Sequence, residues 1–226
     1  MKPIYIGKTK DVYRLEDNTI KLKFKDDVTG EDGVFDPGAN TIGLTLDGAG
    51  KSGLRVSKYF FEKLKEFNIP THYISADIKE SSMLVKDAEM FGNGLEVICR
   101  YKAVGSFYRR YGQYCEEGED LSEFIEFTLK DDLRNDPPIS KDGLIILKLL
   151  NKEEYDEIKR LTKEISRIVK NELMKKDLEL YDIKLEFGKD NTGKIMLIDE
   201  ISGGNMRVYK QDNYIPPLEL EPILFN

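Results

Sequence analysis

The chain of 226 residues and 26.0 kDa carries 35 Lys and Arg against 42 Asp and Glu, a formal charge of −7. That length supports a substantial core in one large domain or two small ones, and eleven Phe with twelve Tyr argue against disorder. A mean hydropathy of −0.48, with no apolar run of roughly 18 residues, argues against a membrane span, and the acidic balance argues against broad nucleic-acid binding.

In chain order, Ile4-Tyr5-Ile6 and Val12-Tyr13 read as strands around a polar turn, Gly7-Lys8-Thr9-Lys10, and no signal peptide is expected ahead of them. Ile20, Leu22 and Phe24 alternate with Lys21 and Lys23, the period of a half-buried strand. Glu31-Asp32-Gly33 signals a turn. Val56, Phe60, Leu64 and Phe67 share one face of a helix predicted over 54–67, with Pro70 beyond its end. Short strands follow near 72–74 and 83–85.

A second region starts near Glu89. Strands are predicted over 95–100 and 124–129, with a short helix at 106–111 between them. Asn151 and Glu154 stand at the N-cap and N3 spacing of a capping box. Tyr155, Ile158, Leu161, Ile165, Ile168 and Val169 then form the stripe of a long amphipathic helix. Strands over 178–187 and 194–201 flank the turn Asp190-Asn191-Thr192-Gly193. The tail after Lys210 is short and rich in proline. The pattern predicts an α+β protein of two lobes, a β-rich lobe over 1–88 and a mixed lobe over 89–226.

Counting narrows the chemistry. Cys99 and Cys115 are the only cysteines; they suit a reducing compartment and form no CxxC motif. His72 is the only histidine, which rules out multi-histidine metal sites, and no nucleophile elbow accompanies it. Carboxylates, Lys, Arg, the backbone and a hard metal remain.

Asp182, Lys184 and Glu186 alternate along one strand and share a face. Alone, they read as a solvated face of alternating charge. The next strand is apolar and ends in Asp199-Glu200, so it can set Asp199 beside Glu186. Two such carboxylates repel unless a cation lies between them. Mg²⁺ takes one or two carboxylates together with nucleotide phosphates, so Glu186 and Asp199 outline a nucleotide-metal site.

The Gly7–Lys10 turn can cover a polyphosphate, although turns rich in lysine are more often solvated. Gly48-Ala49-Gly50-Lys51-Ser52 imitates a phosphate loop but has Thr45 where that motif needs glycine. Arg100 at a strand end and Gly105-Ser106 at a helix start outline an anion site; the plainer reading is an N-cap Ser beside a surface Arg. Phe107-Tyr108-Arg109-Arg110-Tyr111 reads as a helix with a phosphate-facing side.

These segments stand together in one order: Gly7-Lys8-Thr9-Lys10, then Glu96…Arg100…Gly105-Ser106, then Asp182-x-Lys184-Leu185-Glu186-Phe187-Gly188, then Asp199-Glu200-Ile201-Ser202…Arg207. In them, and in Ile69-Pro70-Thr71-His72 and Lys130-Asp131-Asp132, the chain resembles the SAICAR synthetase family over nearly its whole length. The resemblance implies an ATP-dependent carbon–nitrogen ligase of purine biosynthesis. ATP would phosphorylate the carboxylate of carboxyaminoimidazole ribonucleotide, and the amine of L-aspartate would displace the phosphate. It implies a two-lobed fold similar to protein kinases and ATP-grasp enzymes, with ATP in the cleft.

By the same resemblance, Lys8 and Lys10 would contact ATP phosphates, Val12 and Leu22 would pack on adenine, and Lys130 would join the ATP site. Glu186 and Asp199 would hold Mg²⁺. Lys184 and Asp182 would flank the reacting carboxylate, with Lys184 neutralising the charge of the transferring phosphoryl group. Arg100, Ser106 and Arg207 would hold the ribonucleotide through its phosphate. A cytoplasmic homodimer with no nucleic-acid or membrane partner is expected. The chain departs from the family at Gly94, where Pro is usual, and at Gly203-Gly204-Asn205-Met206, where Pro-Asp is usual. The departures keep open an enzyme of this fold acting on another carboxylate. A non-catalytic nucleotide binder is disfavoured, because the charged positions are all retained.

Overall fold

The computed structural model describes residues 2–31, 34–35 and 41–225. Asp32 and Gly33 of the predicted turn lie outside the described residues. The chain begins with β1 (Tyr5–Ile6), β2 (Lys10–Arg14), β3 (Ile20–Phe24), β4 (Asp27–Glu31), β5 (Val34–Phe35) and β6 (Ile42–Thr45). Next come α1 (Ala49–Glu66), β7 (Tyr73–Asp77), β8 (Ser82–Val85), β9 (Glu89–Met90), β10 (Leu95–Lys102), α2 (Gly105–Tyr111) and β11 (Asp120–Leu129). A 3-10 turn (Asp132–Arg134) leads to α3 (Lys141–Ile146), α4 (Lys152–Met174), β12 (Glu179–Lys189), β13 (Ile195–Ile198), β14 (Met206–Lys210), β15 (Asn213–Tyr214) and α5 (Pro217–Phe225).

Two antiparallel sheets carry the site. The first has the order β1-β2-β3-β8-β7. The second has the order β11-β10-β12-β14-β15, with β13 and β9 also pairing with β12. A small sheet, β5-β4-β6, stands beside them. In β3 the alternation holds as written: Ile20, Leu22 and Phe24 are buried and the lysines between them are not.

Helix α1 starts at Ala49, five residues before the apolar stripe suggested. Gly48 turns the chain into it at φ 82°, a backbone angle glycine adopts without strain. Gly50 then lies against the backbone after β3; a Cβ there would stand 2.6 Å from the Lys25 carbonyl oxygen. A left-handed turn at Gly48 and close packing at Gly50 therefore account for the glycines of the false phosphate loop. Leu54, Phe60, Phe61 and Leu64 are completely buried along the inner face.

Helix α4 has the predicted capping box, with Asn151 and Glu154 bonded reciprocally at 2.8 Å each. It packs on β10 and β12, where Val97, Cys99, Ile183 and Leu185 complete the core. The opposite face of β12 is not solvated: Asp182 is 3% exposed and Glu186 6%. That overturns the plain reading of an alternating charged surface. The proline-rich tail also forms a helix. Pro217 opens α5, where its missing N–H costs nothing, and Leu220 and Leu224 are buried, with α5 packed on α1. No helix among the described residues is long and apolar enough to cross a membrane.

Candidate functional site

Antiparallel register turns separate alternating strands into rows of facing side chains. Across the second sheet, Arg100 of β10 faces Asp182 of β12, which faces Arg207 of β14. One row along, Ile98 stands between Glu126 of β11 and Lys184 of β12. In the third row Thr128 faces Glu96, Glu96 faces Glu186, and Glu186 faces Ile198, the residue before Asp199. The cross-strand register thus brings Glu186 and the end of β13 together, as the sequence suggested.

The first row is a guanidinium cluster. Asp182 Oδ2 accepts from Arg100 Nη1 at 3.2 Å and from Arg207 Nη1 at 2.7 Å. Glu126 Oε2 accepts from Arg100 Nη2 at 2.7 Å, and both Glu126 oxygens accept from Arg110 Nη2 at 2.5 and 2.6 Å. Arg100 also donates to Ser106 Oγ at 3.0 Å. Arg100 is therefore not a surface residue but is 1% exposed, its charge met by two buried carboxylates. Ser106 is not a cap either; Val104 occupies the N-cap of α2, with no side-chain capping bond. Gly105 sits at φ +56°, and a Cβ there would lie 2.5 Å from the Arg207 guanidinium. Only glycine lets that guanidinium lie flat against the turn. Arg100, Ser106, Arg110, Asp182 and Arg207 line one small pocket.

The larger cleft lies between the two sheets. Val12 and Leu22, directly paired across β2 and β3, line its apolar wall. Lys8 and Lys10 line it from the glycine turn, and Lys130, Glu186 and Asp199 from the other side. Met90 also lines it and is half exposed. Lysines hold carboxylates along this cleft. Lys10 bonds Asp199 at 2.9 Å and also Glu200. Lys130 bonds both oxygens of Glu186 at 2.7 and 2.9 Å. Lys184 bonds Glu96 at 2.7 Å, and Thr128 Oγ1 donates to the other Glu96 oxygen at 3.2 Å. Across the cleft mouth, Lys8 meets Asp132 at 2.7 Å.

Burial works against charge throughout this cluster; charged partners outweigh it at Lys10, Asp199 and Lys184, and it prevails at Glu186 and His72. Burial alone would lower Lys10, but Asp199 and Glu200 hold it above its ordinary value. Burial would raise Asp199, but Lys10 and Lys130 hold it well below the usual carboxylate range. In Glu186 burial, with the charge of Asp199 added, outweighs Lys130 and Lys184, and the carboxyl is pushed up. Burial also lowers Lys184, and Glu96 and Glu186 reverse this. His72, buried in the cleft wall, is pushed down to about 4, mainly by desolvation.

The two cavities share a wall. Lys184, Glu96 and Asn205 line both of them, so Lys184 stands between the larger cleft and the guanidinium pocket. Glu96, Glu126 and Glu200 are parts of this machinery to which the sequence reading gave no role of their own; Arg110, read as part of a phosphate-facing helix side, is held by Glu126. Glu96 lies four residues before Arg100 on one strand, and Glu126 alternates with Ile125 and Phe127, so their faces were readable. Their partners, set by pairing between distant strands, were not. No group of three or more metal-ligating side chains occurs among the described residues. Glu186 and Asp199, both lining the larger cleft, are hard oxygen donors of the kind that can hold a divalent cation.

A family model described as SAICAR synthetase matches residues 3–221. A phosphoribosylaminoimidazole-succinocarboxamide synthase of Clostridium tetani is 64% identical over 225 residues, covering 99% of each chain. One from Methanocaldococcus jannaschii is 32% identical over 212 residues, 93% of this chain and 83% of that relative. The crystal structure of the Ehrlichia chaffeensis synthase matches with a TM-score of 0.85 at 27% identity, covering 100% of this chain and 93% of the other. A SAICAR synthetase solved in complex with ADP matches with a TM-score of 0.82 at 31% identity, covering 93% and 86%.

Proposed function

This chain belongs to the SAICAR synthetase family, and on that premise we propose how its own residues perform the family's reaction. The chain is an ATP-dependent ligase of purine biosynthesis that joins L-aspartate to carboxyaminoimidazole ribonucleotide, giving the succinocarboxamide, ADP and phosphate. The observation that carries the assignment of roles is the position of Lys184 between the two cavities.

In this reading ATP occupies the cleft between two lobes, 1–88 and 89–226, an arrangement similar to protein kinases and ATP-grasp enzymes. The boundary is supported by pairing: β7 and β8 join the first sheet, whereas β9 pairs with β12 of the second. Adenine packs on Val12 and Leu22. Lys8 and Lys10 contact the phosphates, and Lys130 supports them from beside Glu186. The ribonucleotide phosphate is held by Arg100, Ser106 and Arg207. Asp182 orients two of these guanidinium groups, Arg100 and Arg207, through its one oxygen Oδ2. Glu186 and Asp199 are hard oxygen donors within each other's field, and they suit Mg²⁺, which would neutralise charge on the ATP phosphates.

The substrate carboxylate then attacks the γ-phosphorus. A new P–O bond forms, and the bond to the bridging oxygen breaks with its electron pair leaving on ADP. Lys184 offsets the negative charge spread over the transferring group, where positioning and electrostatics supply most of the rate. The aspartate amine next attacks the acyl carbon. Phosphate departs with the acyl C–O electron pair and takes up the proton that the amine gives up. The same reading makes the enzyme cytoplasmic and homodimeric; its two free cysteines support the reducing compartment.

Lys184→Met is expected to lower kcat by about 10²–10³ with little change in either KM. Arg207→Met is expected to raise KM for the ribonucleotide and spare KM for ATP. Steady-state kinetics with each substrate varied separates the two. An unchanged kcat in Lys184→Met would remove that residue from the phosphoryl step.

A further inference from the structure

His72 is the only histidine in the chain and has no role in the reaction as described. It is 3% exposed and lines the large cleft. Its Nε2 lies 2.9 Å from the carbonyl oxygen of Asp199. A carbonyl oxygen only accepts, so Nε2 carries the hydrogen and donates it. Phe61 packs against the ring, with centroids 5.5 Å apart.

The backbone around His72 is fixed to the same strand. His72 N–H donates to the Leu197 carbonyl at 2.9 Å, Leu197 N–H donates to the Pro70 carbonyl at 2.9 Å, and Thr71 and Leu197 form a parallel bridge. The segment leading into β7 is therefore bound along β13 up to its last residues. Asp199 follows at φ 64°, left-handed backbone that a residue with a side chain seldom adopts. Such a conformation persists where its surroundings over-determine it. Here the imidazole bond holds the carbonyl of the very residue that turns.

We propose that His72 is a positioning residue: its Nε2–H anchors the Asp199 carbonyl, fixes the left-handed turn at the end of β13, and so presents the Asp199 carboxylate to the cation beside Glu186. This rests on the Glu186/Asp199 reading of the metal site. A bond to a ligand's own backbone does the work of an outer-shell partner, whose loss typically weakens metal binding by about 10–100-fold.

The test is binding of Mn²⁺ in the presence of ADP, followed by electron paramagnetic resonance, on the full chain and on His72→Phe, His72→Gln and Asp199→Asn. His72→Phe is expected to keep its far-ultraviolet circular dichroism and its ribonucleotide affinity, and to weaken Mn²⁺ by about 10–100-fold. His72→Gln, whose amide N–H reaches the same carbonyl, is expected to recover most of that loss. If His72→Phe fails to fold, His72→Asn replaces it, since that shorter amide falls short of the carbonyl and should lose what Gln keeps. Unchanged Mn²⁺ affinity in His72→Phe while Asp199→Asn loses it would overturn the inference and leave the metal reading standing. Equal losses in the Phe and Gln variants would also overturn it. Unchanged affinity in Asp199→Asn would remove the metal reading itself, and the inference with it.

Discussion

Gly105 shows how narrowly single residues constrain the substrate pocket. Its φ of +56° disfavours a side chain, and a Cβ there would stand 2.5 Å from the Arg207 guanidinium, which would have to move. Left-handed backbone costs an L-residue roughly 1–2 kcal/mol before any clash. Gly105→Ala should therefore displace Arg207 and raise KM for the ribonucleotide about tenfold or more, with KM for ATP unchanged. A normal ribonucleotide KM would mean that Arg207 does not act from the position described. At this scale the sequence was informative about which residues matter and silent about what they touch. Asp182, Lys184 and Glu186 could be placed on one strand face by alternation alone. That Arg100 is buried could not be foreseen, because its burial depends on Glu126, 26 residues away, and on Asp182, 82 residues away. Without those carboxylates a buried guanidinium would be prohibitively costly, so a surface position was the natural expectation.

Elements with a strong period were legible, and short elements among polar residues were not. Helix α4 announced itself by its stripe and its cap. Asn151→Ala should remove the bond to the Glu154 N–H and cost about 1 kcal/mol. For a chain of this size that corresponds to a melting point lower by about 2–4 °C; an unchanged melting point would show that the cap contributes nothing. By contrast β14 was not foreseen, although Met206 and Val208 alternate with Arg207 and Tyr209 and are buried. Five residues directly after a Gly-Gly turn carry too little periodicity to stand out from a loop. The strands β4 and β6 are equally short and mix polar with apolar residues. Helix α5 was hidden for another reason: Pro222 lies inside it, and proline normally ends a helix. Burial of Leu220 and Leu224 and the Arg55–Glu221 ion pair at 2.6 Å favour it nonetheless.

Across the whole molecule, α1 and α4 are tied by Glu172, which accepts from Tyr59 Oη at 2.7 Å and from Lys175 at 2.6 Å. Burial would raise the Glu172 carboxyl, but Lys175 and Tyr59 outweigh it, and its pKa lies below the ordinary 4.5. A depressed carboxyl contributes stability above its unfolded value, and that contribution is lost as pH falls through the folded value. The wild type should therefore lose more stability than Glu172→Gln between pH 5 and pH 3, while at pH 7 the variant should be weaker by about 1.5–3 kcal/mol. Urea denaturation of both proteins at the two ends of that range checks this, and parallel curves would contradict it. That one sheet is built from strands of the first part of the chain could be read from the order of elements. The place of Lys184 between two cavities could not, since it depends on how distant strands pair and face each other. The most direct measurement is ADP release with Mg-ATP, L-aspartate and carboxyaminoimidazole ribonucleotide, each omitted in turn. Sustained ADP release that requires the ribonucleotide and aspartate, with succinocarboxamide as product, is the predicted result. Sustained ADP release that ignores the ribonucleotide, or none with all three present, would contradict the account.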